Sequence, residues 1–311
     1  MMKLIISENA INNRKSWIEE IKKLKGNFSD DADKLERKLQ LEINKGGFST
    51  LIDHLRLCGN IPESYGHDTS EEKMYSKYTD CLLSLSYSYL GLKSIVLKER
   101  ADAADVEVFA KSSTTLSYTF VADAKAFRIS RTAKNQKDFK VQAMNGWKKG
   151  KDYAMVVCPI YQLPASSSQI YHQATSQNVC IFTYSHLALL ILYSEIDGKE
   201  KAQDLLENVF KTVQALMPSK NATDYWLAIN KTFLSFSDKI SKLWEDEKGV
   251  STESIKIAKD EALTFLALER EKIMKMGHEE ALKELLKLHK IDSKIKTINN
   301  VTDNRLFYLN K

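Results

Sequence analysis

The chain has 311 residues, 43% of them apolar and 28% charged, enough to bury a substantial core, which excludes a disordered or fibrous protein. Its four cysteines, Cys58, Cys81, Cys158 and Cys180, are widely spaced with no CxxC pair, so neither a disulfide framework nor a zinc site is indicated. The net charge of +5 is modest, but nine Lys/Arg and one Asp fall between Lys125 and Lys151, a local balance of +8 that favours a polyanionic partner.

Along the chain, residues 14 to 45 read as helices, with Trp17, Ile18, Ile21 and Leu24 at helical spacing. The brief apolar start is broken by Asn9, Asn12, Arg14 and Lys15, unlike a signal peptide. Gly46-Gly47 lacks the Lys-Ser/Thr of a phosphate loop. After a Pro62 and Gly66 loop, Ser70 is the expected N-cap of a helix that runs to about Leu90 and ends at Gly91. The period then changes. Asp105–Ala110 and Leu116–Val121 alternate as strands around the polar turn Lys111-Ser112-Ser113-Thr114-Thr115. A hairpin centred near Thr114 sets Asp105 opposite Asp123, with Cβ atoms about 5 Å apart. A one-residue slip would turn Asp105 to the other face. Asp138 to Trp147 is expected as a helix. Tyr153–Cys158 and Asn178–Phe182 are expected as buried strands, with Cys158 and Cys180 as core residues and Ser167–Ser176 as a short crossover helix. The apolar run His186–Tyr193 is too short to span a bilayer, so the chain reads as intracellular, cytoplasmic and reducing. From there it is mostly helical. A long helix is expected from Ser251, with a break at Gly277-His278 and an i,i+4 pair of Glu279 with Lys283.

The densest chemistry lies at Val121-Ala122-Asp123-Ala124-Lys125. On a strand, Asp123 and Lys125 share a face about 7 Å apart. Cutting a phosphodiester requires an activated water, charge offset on the phosphate and a stabilised leaving oxygen. A carboxylate-held Mg²⁺ with a nearby amine can supply these. Asp123 and Asp105 are the candidate metal ligands, joined by the backbone carbonyl of Ala124, and Lys125 would orient or deprotonate the water. Glu99, Asp102 and Glu107 compete with Asp105 as second acid. The plain alternative is a surface Asp–Lys pair on a sheet edge. In Asn135-Gln136-Lys137-Asp138-Phe139-Lys140, Asn or Gln can grip adenine, Lys can donate to guanine and Asp can accept from cytosine. Asp138 could equally be a charge at a helix N-terminus. The histidines are scattered without metal-ligand spacing.

The run VADAKAFRISRTAKNQKDFKV at positions 121–141 closely resembles the HindIII-type family of type II restriction endonucleases. The similarity extends to Glu72-Lys73, Ser76-Lys77, Ala104-Asp105-Val106, Lys151-Asp152-Tyr153-Ala154, Ser168-Gln169-Ile170 and Ser185-His186-Leu187-Ala188. It covers the middle half of the chain well and both ends loosely. It implies a PD-(D/E)xK α/β fold: a central mixed sheet flanked by helices, with helical N- and C-terminal additions. It also implies a homodimer on double-stranded DNA, Mg²⁺-dependent cleavage of AAGCTT leaving 5′-phosphate ends, and a cognate DNA methyltransferase. Carried over by position, Asp105, Asp123 and Lys125 are the metal and catalytic residues, and Ala133, Asn135, Lys137, Asp138 and Lys140 read the major groove. Ala122 stands where the superfamily name expects Pro, a departure of small consequence because that Pro has no catalytic atom. The expected organisation is a helical region over 1–92, an α/β core over 93–195 for catalysis and recognition, and a helical region over 196–311 for dimerisation or embracing DNA, all in one compact unit. Two other readings share the same residues: a DNA-binding protein with an inert nuclease-like strand, and a structure-specific repair or recombination nuclease.

Overall fold

The computed structural model describes residues 5–97, 103–110, 118–131 and 136–299, apart from the side chains of Gln136 and Lys137. Helix α1 (Glu8–Lys23) starts at Ser7, whose hydroxyl accepts from Ala10 N, and buries Ala10, Trp17, Ile18 and Ile21 along one stripe. Helix α2 (Phe28–Leu57) kinks at Gly47, where φ is +68°, so the Gly46-Gly47 pair serves a bend. Helix α3 (Ser70–Tyr89) is capped by Thr69 rather than Ser70. The Thr69 hydroxyl accepts from Glu72 N while the Glu72 carboxylate accepts from Asp68 N, so the N-terminal turn is satisfied one residue early. Gly91, at φ +83°, then turns the chain into the sheet.

Five strands follow in spatial order: β1 (Lys93–Val96), β2 (Val106–Phe109), β3 (Thr119–Ala124), β4 (Tyr153–Cys158) and β5 (Val179–Thr183). The first three are antiparallel, and β3, β4 and β5 run parallel. The crossovers carry α4 (Val141–Trp147) and α5 (Gln169–Ser176), as parallel strands require. Strands β4 and β5 are buried almost throughout, which explains their continuous apolar sequence, and they bury Cys158 and Cys180 as expected. Strand β1 was not legible beforehand. Its four residues, Lys-Ser-Ile-Val, alternate weakly and are held by pairing with β2.

Helices α6 (Tyr184–Asp197), α7 (Lys199–Ala215) and α8 (Ala222–Phe236) complete the core. Helix α9 (Asp238–Lys275) begins 13 residues before the expected Ser251. Ile240 and Val250 are buried across Gly249, whose missing Cβ admits the Ile5 side chain, so the glycine is a packing residue rather than a break. The expected break does fall at Gly277, before α10 (His278–Leu288), followed by α11 (Ile291–Asn299). Glu279 and Lys283 pair at 3.1 Å. The architecture is the mixed sheet with flanking helices expected from the sequence. Residues Met1–Ala262 form one compact unit and Leu263–Lys311 a second, whose Leu282, Leu285, Leu286 and Ile295 are exposed. Among the described residues no helix is long and apolar enough to cross a membrane.

One buried group makes the fold pH-sensitive. His186 sits among Phe182, Trp226, Phe233 and Trp244, with Thr183 Oγ1 2.6 Å from its Nδ1. Burial lowers its pKa from the ordinary 6.5 to about 4, while Asn230 pulls weakly upward. A histidine depressed in the folded state contributes stability that is present above its unfolded pKa and lost as pH falls through the folded one. Unfolding free energy should therefore fall by about 2 kcal/mol between pH 7 and pH 5 from this group alone. Denaturant titrations at several pH values check this, and the same slope in His186→Gln would contradict it.

Candidate active site

The site is built where β2 begins and β3 ends. Val106 pairs with Ala122, so one further step of the antiparallel register sets Asp105 opposite Asp123. This is the expected alignment; the hairpin turn itself lies outside the described residues. Asp105 is held in line by its carbonyl, which accepts from Leu97 N at 2.8 Å. Beyond Ala124, Lys125 N donates to Val157 O at 2.8 Å, extending the parallel ladder by one residue. The Tyr184 hydroxyl donates to the Lys125 carbonyl at 3.0 Å. Strand pairing thus fixes the backbone under all three side chains before any of them interacts.

The side chains converge. Asp123 is 1% exposed and forms an ion pair with Lys125. The half-buried Asp105 carboxyl is hydrogen-bonded to that of Asp123. Burial pushes the Asp105 carboxyl well above the ordinary carboxylate range, and the charges of Asp80 and Asp123 push it further. Burial alone would lower the Lys125 ammonium, but Asp123 and Asp105 outweigh it and hold its pKa up. Lys125 is therefore a cation in this setting.

Asp80 was not foreseen. It lies on α3, 2% exposed, with Lys77 Nζ 3.3 Å from its Oδ2. Lys77, Asp80 and Ser84 form a polar stripe at helical spacing on a helix that packs against β1, β2 and β3. That stripe was the available signal, since almost every other residue around it is buried and apolar. When ionised, the carboxylates of Asp80, Asp105 and Asp123 carry three negative charges against the two positive charges of Lys77 and Lys125. The paired Asp105 and Asp123 carboxyls, with the charge of Asp80 acting on them, make an oxygen-rich setting that suits a hard divalent cation.

Glu107 is half-buried and paired with Lys151 at 3.4 Å, so its carboxylate is engaged elsewhere. Glu99 and Asp102 lie outside the described residues. Ala124 is buried at the end of β3, beside the site.

The basic segment leaves β3 along the Gly59–Gly66 loop. Phe127 N donates to Gly59 O at 3.0 Å, Ile129 N to Asn60 Oδ1 at 3.2 Å and Ser130 N to Glu63 Oε1 at 3.1 Å. Arg128 donates to Glu72 and to the Tyr65 and Gly66 carbonyls, so this cation serves the scaffold. Ala133 and Asn135 lie outside the described residues. Lys137 and Asp138 fall in a 3-10 turn, Gln136–Phe139, and not in the helix expected from Asp138. Lys140, exposed and at φ +46°, separates that turn from α4, which starts at Val141. Its Nζ lies 5.3 Å from the Trp147 ring centroid.

Two carboxylates, an ammonium and an adjoining cationic segment can bind a metal ion and steady a phosphodiester for attack by water. Residues 14–302 match the family model for the HindIII restriction endonuclease. The type II restriction enzyme HindIII of Haemophilus influenzae is 33% identical over 266 residues, covering 83% of this chain and 85% of that enzyme. A solved structure of the restriction endonuclease FokI bound to DNA aligns with 61% of this chain and 33% of its own, at a TM-score of 0.32 and 12% identity.

The raised pKa of Asp105 has a thermodynamic consequence. An acid whose folded pKa exceeds its unfolded 3.8 contributes stability below the unfolded value and loses it as pH rises through the folded one. In cation-free buffer at pH 8, Asp105→Asn should melt about 2–4 °C above the unsubstituted protein, with the gap closing toward pH 4. Calorimetry in the presence of a chelator decides it, and a lower melting temperature at pH 8 would refute the assignment.

Proposed function

We propose, from the premise that this chain belongs to the HindIII restriction endonuclease family, that it hydrolyses both strands of duplex DNA at AAGCTT with Mg²⁺ as its cation. Family membership makes it a site-specific deoxyribonuclease acting on DNA, and restriction endonucleases generally use divalent metal ions. The observation that supports metal-dependent cleavage is the convergence of Asp105, Asp123 and Lys125 at the mouth of the β2–β3 hairpin, while AAGCTT follows from the family resemblance.

In this reading Asp105, Asp123 and the Ala124 carbonyl hold the Mg²⁺. Bound there, the ion supplies charge neutralisation on the phosphate and easier deprotonation of water. Lys125 does the rest of the positioning. Its ammonium, kept charged by Asp123 and Asp105, hydrogen-bonds the attacking water and a non-bridging phosphate oxygen. Water attacks phosphorus in line with the P–O3′ bond and releases a proton to solvent; that bond breaks with its electron pair on O3′, which takes up a solvent proton, leaving a 3′-hydroxyl and a 5′-phosphate. Asp80 on α3 adds its negative charge to the field at Asp105 and is itself paired with Lys77.

Recognition falls to Ala133, Asn135, Lys137, Asp138 and Lys140 in the major groove. Asn135 suits adenine, Lys137 guanine and Asp138 cytosine, the edges that AAGCTT presents. Each chain holds one such cluster, so a palindrome is served by a homodimer with a two-fold axis. The exposed leucines and isoleucine of the Leu263–Lys311 unit are apolar surface of the kind that pairs copies. The setting is the cytoplasm of a prokaryotic cell, with a cognate methyltransferase protecting host sites.

Sequencing the ends of a digested plasmid tests the target, and ends at any other hexamer would refute it. Lys125→Ala should slow cleavage by roughly 10²–10⁴-fold. Asp123→Asn should abolish it, and both variants should still bind cognate DNA. Intact cleavage in both would end the proposal. Asp138→Ala should impair cognate cleavage more than non-specific binding.

A further inference from the structure

Arg131 is held at both ends by contacts that no DNA supplies. Its backbone N donates to Arg128 O at 3.1 Å, closing a turn, and its carbonyl accepts from the buried Gln162 Nε2 at 3.2 Å. Its guanidinium lies 5.0 Å from the Phe127 ring centroid, and its Nη2 donates to Asp138 Oδ1 at 2.8 Å. Phe127 in turn packs on Phe139, the buried neighbour of Asp138, with ring centroids 6.3 Å apart. The two residues of the ion pair therefore stand on one apolar base, and the planar fork has a fixed stacking surface behind it.

We propose that Arg131 is a positioning residue for sequence recognition: braced on Phe127, it fixes the direction of the Asp138 carboxylate and so enforces discrimination at the G·C pairs of the site. The inference rests on the reading of Asp138 as a cytosine acceptor and deepens it. A carboxylate has about four acceptor sites, so hydrogen bonds from within the protein, that of Arg131 among them, can constrain its direction while a base donor is also accepted. The pair also offsets a negative charge that would otherwise face the DNA backbone. A carboxylate free to rotate could accept from donors in several places; one clamped by a stacked guanidinium accepts from a narrow set of directions. A lysine cannot replace it, since an ammonium has neither the plane to stack nor the fork to aim.

The test measures cleavage rates on duplexes carrying the cognate site or a single substitution at each position. For Arg131→Gln and Arg131→Lys, the ratio of cognate to substituted rates should drop about 10–100-fold at the G·C positions and stay near the starting value at the A·T positions. Unchanged ratios at every position would overturn the proposal, as would an equal drop at every position, which a merely structural or phosphate-binding role produces. Full discrimination in Arg131→Lys would also overturn it, reducing the role to charge. Asp138→Ala is run in parallel to separate the two levels. If its ratios match those of the unsubstituted enzyme, the reading of Asp138 itself fails. If they change while those of Arg131→Gln do not, the Arg131 inference fails alone.

Discussion

The pairing of β2 with β3 is the constraint on which the site depends. Its register sets Asp105 opposite Asp123, and each strand is locked on its outer side, by β1 through Leu97 and by β4 through Val157. Two carboxyls held together in a poorly hydrated place repel each other, and the loss of water makes the repulsion more costly. The protein meets part of that cost with Lys125 and leaves the rest as a raised Asp105 pKa. The strain is local, borne by a five-stranded sheet whose central strands are buried almost throughout.

Much of this was legible in the residues. Asp105 and Asp123 stand equally far from the polar turn at Thr114, so a hairpin centred there pairs them, and the observed register has that centre. The parallel strands announce themselves because burial on both faces leaves them continuously apolar. Asp80 was hidden for the opposite reason. A polar stripe on a helix normally marks its solvent side, and only the packing of α3 against the sheet turns Lys77, Asp80 and Ser84 inward.

The cationic segment shows what counting charges misses. Between Lys125 and Lys151 the sequence offers nine positive side chains, whose number alone does not say which of them face a polyanion. Arg128 is spent on Glu72 and two loop carbonyls, Lys151 on Glu107 and Arg131 on Asp138. Asp138 had two sequence-level readings, as a base acceptor and as a helix-terminal charge. Its place in a 3-10 turn removes the α-helix expected to begin there, and the ion pair with Arg131 gives it a partner that the sequence did not suggest.

Chain continuity between Lys125 and Phe127 has a mechanical corollary. The lysine sits on the last rung of the ladder, and two residues later the backbone is clipped to Gly59 and Asn60. No slack intervenes, so any tilt of the downstream loop is transmitted as leverage to the ammonium. Grafting a different downstream loop would therefore disturb the backbone at Lys125 unless the Gly59–Gly66 cradle were transplanted with it.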